Sequence, residues 1–229
     1  MNNESEGPLV QFLELFVRYH QKTAAILQSM IFLTRAELVG ETNAGLKKEI
    51  SNFEKYLKPN SLTYKHWFSG LLLFSLISET EIYFVDTMKV LIKRYPKKIG
   101  STEFKLSEIL DLSQDEVLSI AAEDYLNRLM YRKASEYLTE LSNILAVDKA
   151  PLEQHWAIFV EAKARRDLGA HNNWRINKTY IRKIGEVGTS VPTDQTPTLV
   201  PDENYISTAI KNCDSLVTKI HEQLMVKYA

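Results

Sequence analysis

Residues 61–96 read SLTYKHWFSGLLLFSLISETEIYFVDTMKVLIKRYP. Ser61-Leu62-Thr63 offers a helix cap. Pro96 ends whatever precedes it, because proline lacks the N–H a helix needs and its ring clashes with the preceding turn. The segment between them is the most apolar of the chain, with GLLLFSLI near its start. It is expected to be one helix reaching Tyr95 and to form the centre of the core. Glu79, Glu81 and Asp86 follow in its middle. Glu79 and Asp86 are seven residues apart and share a face, which reads as a solvated face or as a means of steering a basic motif.

The flanking segments carry the same period. Leu9–Val39 has neither Gly nor Pro, and Phe12, Leu15, Phe16, Tyr19, Thr23 and Ile26 recur at helical spacing. Gly40 is expected to break this helix, and Asn43–Leu57 to form a second that ends at Lys58-Pro59-Asn60. The pair reads as a hairpin extension over residues 1–60 that packs on a main domain over 61–229. Glu103–Asp111 reads as a short amphipathic helix. Ser113 and Glu116 form a capping box that opens the next one, and Ala134–Leu145 continues the series. A helix over 151–168 follows, with Gly169 as its stop. Asn177–Ile184 gives one or two turns. Residues 185–201 read as a loop, either mobile or a lid. The last helix, capped by Asp202 or Asn204, reaches Lys227. The fold class is all-α, with no sheet larger than two short strands.

Composition sets limits. The 229 residues fit one domain with an extension, and 8 Gly with 7 Pro favour long helices over many short strands. A net charge of -1 excludes wholesale coating of DNA. The single cysteine, Cys213, excludes an internal disulfide and a multi-cysteine zinc site. It lies on the apolar stripe of the last helix and reads as core. The N-terminus MNNESEG is not a secretory signal, and the apolar run Phe68–Ile77 is shorter than the roughly 20 residues a bilayer needs. A reducing, cytoplasmic setting without membrane association is expected. His20 reads as packed or at a rim, and His155 has no histidine at ligand spacing. No metal site and no cofactor are expected. There is no phosphate-binding glycine loop, nucleophile elbow or His-Glu-x-x-His, which removes P-loop enzymes, common serine hydrolases and zincins.

One stretch carries chemistry. Residues 161–186 read EAKARRDLGAHNNWRINKTYIRKIGE, and from Lys163 to Lys183 there are seven Lys or Arg against one acid, Asp167. A permanent guanidinium near an imidazole suits a phosphodiester, because arginine pairs with phosphate bidentately and imidazoles titrate near neutrality. Five residues of unbroken helix would set Arg166 and His171 about 140° apart. A break at Gly169 would bring them back together. Basic residues that complement a helix C-terminus are the plain alternative.

RRDLGAHNNW resembles the Arg-x4-His signature of HEPN domains, all-α domains of prokaryotic toxins, phage-defence proteins and CRISPR ribonucleases. Residues 78–99 resemble the long first conserved helix of the RiboL-PSP and related groups, and the layout after the motif is similar to theirs. The likeness covers residues 62–229. Asp167 departs from the Asn or His commoner at that place. The resemblance implies a helical bundle and a metal-independent endoribonuclease of a toxin–antitoxin or antiviral system. His171 would act as base or acid, Arg166 would stabilise the phosphorane, and Asp167 and Asn172 would orient the imidazole or the ribose. Arg165, Arg175, Lys178, Arg182 and Lys183 would hold the RNA backbone, with Trp174 stacking a base or lying buried. Products would carry a 2′,3′-cyclic phosphate. A homodimer would face two motifs across a two-fold axis, using Trp156, Phe159, Val160 and the long helix, with Glu79 and Asp86 offsetting the repulsion. An antitoxin or regulatory protein is the further partner expected. The competing reading is a non-catalytic α-helical module that binds RNA, a nucleotide or a protein.

Overall fold

The structure, a computed structural model, describes residues 7–57, 63–100, 103–190 and 198–229. Its helices are α1 (Pro8–Thr42), α2 (Ala44–Leu57), α3 (Tyr64–Arg94), α4 (Leu106–Ile109), α5 (Gln114–Met130), α6 (Ala134–Leu145), α7 (Glu153–Asn172), α8 (Lys178–Gly185) and α9 (Glu203–Tyr228). Among the described residues the extended structure is one isolated bridge, Arg175 to Thr198. The fold is all-α.

α3 is the central helix. Thr63 caps it by accepting from the His66 amide, and the helix ends at Arg94, with Tyr95 as its C-cap, before Pro96 begins a short 3-10 turn. Leu73, Leu76, Ile77, Phe84, Met88, Leu91 and Ile92 are fully buried on its inner face. Thr80 and Thr87 share that face without cost, because their hydroxyls donate to the carbonyls of Leu76 and Tyr83 at 2.8 and 2.6 Å. α3 is also long and apolar enough to cross a membrane, but half of its most apolar window is buried among the other helices, as in a core helix.

α1, α9, α7 and α6 all pack on α3, and α9 also packs on both α1 and α7. Phe12, Tyr19 and Ile26 of α1 lie in the same core cluster as the α3 face and as Ile206, Cys213, Leu216 and Ile220 of α9. The expected boundary at residue 60 is therefore no boundary of the core. α1 also runs on to Thr42 rather than stopping at position 40. Glu79 and Asp86 are not a free acidic face either. They receive Lys22 at 3.8 Å and Arg18, both from α1. The sequence extension is thus a structural wall, fixed to α3 by apolar residues and two ion pairs.

Local signals place the remaining elements. The Ser113–Glu116 capping box is formed in both directions. Asp202 caps α9 by accepting from the Tyr205 amide at 2.7 Å. α4 is a single short turn, smaller than the helix expected over 103–111. The termination of α2 at 58–60 and the middle of the 185–201 loop (191–197) lie outside the described residues. Cys213 is buried, which pushes its thiol up to about 12. His155 exchanges hydrogen bonds with Asn212, joining α7 to α9.

Candidate functional site

α7 carries the Arg-x4-His segment, and it does not stop at Gly169. It continues to Asn172, and the reversal comes at Asn173 and Trp174, both left-handed (φ 48° and 64°). Asn tolerates that region, whereas Trp rarely enters it. The Trp174 amide donates back to the Leu168 carbonyl at 3.0 Å, and the Leu199 amide donates to the Trp174 carbonyl at 2.8 Å. Burial of the indole holds the strained residue. A Cβ on Gly70 would lie 2.9 Å from the ring and one on Gly169 only 2.5 Å from it, and Phe74 meets it edge-on at 6.1 Å. Gly169 is there to admit the indole, not to end the helix.

This changes the geometry of the motif. With α7 unbroken, Arg166 and His171 project about 140° apart. His171 is exposed and makes no side-chain hydrogen bond or ion pair with the described residues. Asn172 does not reach it, because its Nδ2 donates to the Arg175 carbonyl at 2.6 Å and closes the turn.

Arg166 belongs to a ladder of charges on the other side of α7. Glu81 of α3, 7% exposed, lies 2.5 Å from Lys163 and 3.5 Å from Arg166. Asp167 lies 3.0 Å from Arg166 and 2.8 Å from Lys183 of α8. Glu81 Oε1 and Arg166 Nε meet their partners at ion-pair distance without hydrogen-bond alignment, so these contacts are mainly Coulombic. The order is Lys163, Glu81, Arg166, Asp167, Lys183. Asp167 therefore bridges two cations and does not orient the imidazole.

The residues expected to hold RNA divide in two. Arg175, Lys178 and Arg182 are exposed, Arg182 beside Glu186 at 2.9 Å. Lys183 is half-buried on Asp167. Arg165 and Trp174 are buried, which corrects the placement of Arg165 in a nucleic-acid surface and gives Trp174 the buried alternative of its two. The Arg165 guanidinium stacks 3.8 Å over the Tyr205 ring and pairs with Glu161 at 2.9 Å. Glu161 also accepts from the Tyr180 and Tyr205 hydroxyls at 2.7 and 2.5 Å. Burial, and then the Glu161 carboxylate, push both phenols up. This closed network locks α7, α8 and α9 together.

The expected dimer contact needs a similar correction. Trp156, Phe159 and Val160 are buried in the chain's own core. The apolar residues left exposed on α3 are Trp67, Leu71 and Ile82. They recur at one and three helical turns and form one stripe.

Two members of the ladder, Lys163 and Glu81, were not singled out as site residues. Glu81 carried a readable signal, since it stands three and four residues from Phe84 and Ile77 on the apolar face of α3. An acid on a buried stripe requires a cation opposite it. Among the described residues no group of three His, Cys, Asp or Glu side chains converges as a metal site would require. No protein-family model, curated protein or solved structure matches the chain.

Proposed function

We propose that the chain is an endoribonuclease of the HEPN type that acts without a metal ion, as a toxin or phage-defence effector in the cytoplasm. The observation that carries this reading is His171: an unpartnered, exposed imidazole at the C-terminal end of α7, followed by exposed Arg175 and Lys178. In the reaction the ribose 2′-oxygen attacks phosphorus and the P–O5′ bond breaks. A base takes the 2′ proton and an acid supplies one to the leaving 5′-oxygen, giving a 2′,3′-cyclic phosphate. Cyclising cleavage needs both a base and an acid, and a two-fold contact would supply the second proton carrier as His171 of a second copy. The α3 stripe of Trp67, Leu71 and Ile82 supplies apolar surface for that contact. Arg166 stabilises the phosphorane, which requires the last turn of α7 to open, because Arg166 projects about 140° from His171, and RNA phosphate to compete with Glu81 and Asp167 for its guanidinium.

That requirement favours a second reading. With Arg166 already neutralised by two carboxylates, the same helix end serves as a non-catalytic module that binds RNA or a protein such as an antitoxin. Purified protein and a labelled single-stranded RNA in excess EDTA separate the two. The first reading expects cleavage products with cyclic ends, intact DNA, and a loss of about 100-fold or more in His171→Ala, the usual scale of acid–base catalysis. Cleavage undiminished by His171→Ala, or restored only by magnesium, refutes it. Retention of full activity by a particle of one-chain mass in light scattering removes the paired site.

A further inference from the structure

The charge ladder has an odd number of members, and both of its ends are lysines. Three cations (Lys163, Arg166, Lys183) share two carboxylates (Glu81, Asp167), leaving one positive charge in a partly buried row. Lys163 and Lys183, the two ends, line the same groove of about 310 Å3 between the α5–α6 turn, α7 and α8. At the floor of that groove lie Tyr137, Trp156, Phe159 and Val160, each at most 7% exposed. Lys133 and Arg182 stand at its rim. Lys133 has no acid at ion-pair distance among the described residues, whereas Arg182 is held by Glu186. Tyr131, 91% exposed, flanks the mouth.

We propose that this groove binds a small organic anion, with its carboxylate or phosphate between Lys163 and Lys183 and its aromatic body on the Trp156–Phe159 floor beneath Tyr131. The assignment rests on two features together. An anion between the terminal lysines would turn the open ladder into a closed ring of alternating charge, and charge-assisted contacts are the strong ones. An apolar floor favours a ring over water at the same place. The volume falls at the lower end of small-molecule sites, which begin at about 300 Å3. A nucleic-acid backbone fits less well, because it would offer a hydrophilic strand to an apolar floor. The inference does not depend on the ribonuclease reading, since His171 lies on another side of α7.

Calorimetry with the full chain tests it, using 1-naphthyl phosphate and 1-naphthoate as probes and 1-naphthol and inorganic phosphate as half-probes. Both naphthyl anions are expected to bind once per chain. Each half-probe, and each of Lys163→Met and Lys183→Met, should weaken binding by about tenfold or more. Tyr131→Ala and Lys133→Ala change exposed residues, so they keep the test valid if Lys163→Met loses its helical circular dichroism, and both should weaken binding. No saturable binding, or equal affinity in the lysine variants, overturns the proposal. Competition by a short single-stranded RNA that depends on the same two lysines also overturns it, by making the groove part of an RNA surface.

Discussion

A methyl group on Gly169 would sit 2.5 Å from the Trp174 ring, closer than any packed pair of atoms tolerates. Gly169→Ala would gain about 1 kcal/mol of helix propensity. The forced displacement of a buried indole costs about 1–3 kcal/mol, so a net loss of stability is expected. Urea unfolding reads the balance, and a raised midpoint would mean that the ring moves aside freely. The same residue shows why the sequence misled. Glycine is used to end helices and also to let a bulky group approach, and both uses look identical in one dimension. Only the turn at Asn173-Trp174, which folds the indole back, distinguishes them. Arg165 was misread for a related reason. Its neighbour in sequence is Arg166, but its environment is Tyr205, forty residues later, and Glu161 one turn earlier.

At the level of elements, the contact between α1 and α9 contains a pH-sensitive pair of rings. His221 of α9 stacks 3.9 Å from Phe16 of α1, with a buried Nδ1 that has no hydrogen-bond partner. Burial lowers its pKa, nearby His20 adds to the effect, and Glu222 opposes it. His20 is itself held by Asp214 at 3.0 Å. The folded state prefers the neutral ring, so the unfolded chain takes up the proton first. This contribution to stability is complete above the unfolded value of about 6.5 and is lost as pH falls below it through the lowered folded value. Melting temperature should therefore drop as pH falls below about 6.5, and His221→Phe should drop less. Equal slopes in the two proteins would place the titration elsewhere. The helices themselves were legible because their period is written in every turn: Phe12, Tyr19 and Ile26 on α1, or Ile206, Cys213 and Ile220 on α9, all lie inward as their spacing requires. Which helix each stripe would meet was not written there. The same limit applied to the candidate site, where Arg166 and His171 were visible but Glu81 and Lys183, arriving from other helices, decided how Arg166 is used.

Across the whole molecule, α1 is as much a part of the core as α3. Removing residues 1–60 would expose the α3 and α9 faces that Phe12, Tyr19 and Ile26 cover, and would leave Asp86 without Arg18. A chain of residues 61–229 is expected to lose cooperative thermal unfolding. A sharp transition near that of the full chain would restore the reading of a detachable extension. The closure of α1 on α9 extends to the very end of the described chain, where the Phe12 and Tyr228 rings lie 5.6 Å apart. This matters during synthesis. A growing chain holds α1 and α3 early, yet α9, which packs against both, emerges well after them. Contacts over such a separation are slow to form, and exposed apolar helices are vulnerable meanwhile. Ribosome-bound chains that end before Glu203 should be cut readily by protease, and resistance should arise only once α9 is free of the exit tunnel. Early resistance would show that α1 and α3 settle without it. The order of the helices thus makes the nascent chain dependent on protection until α9 has emerged.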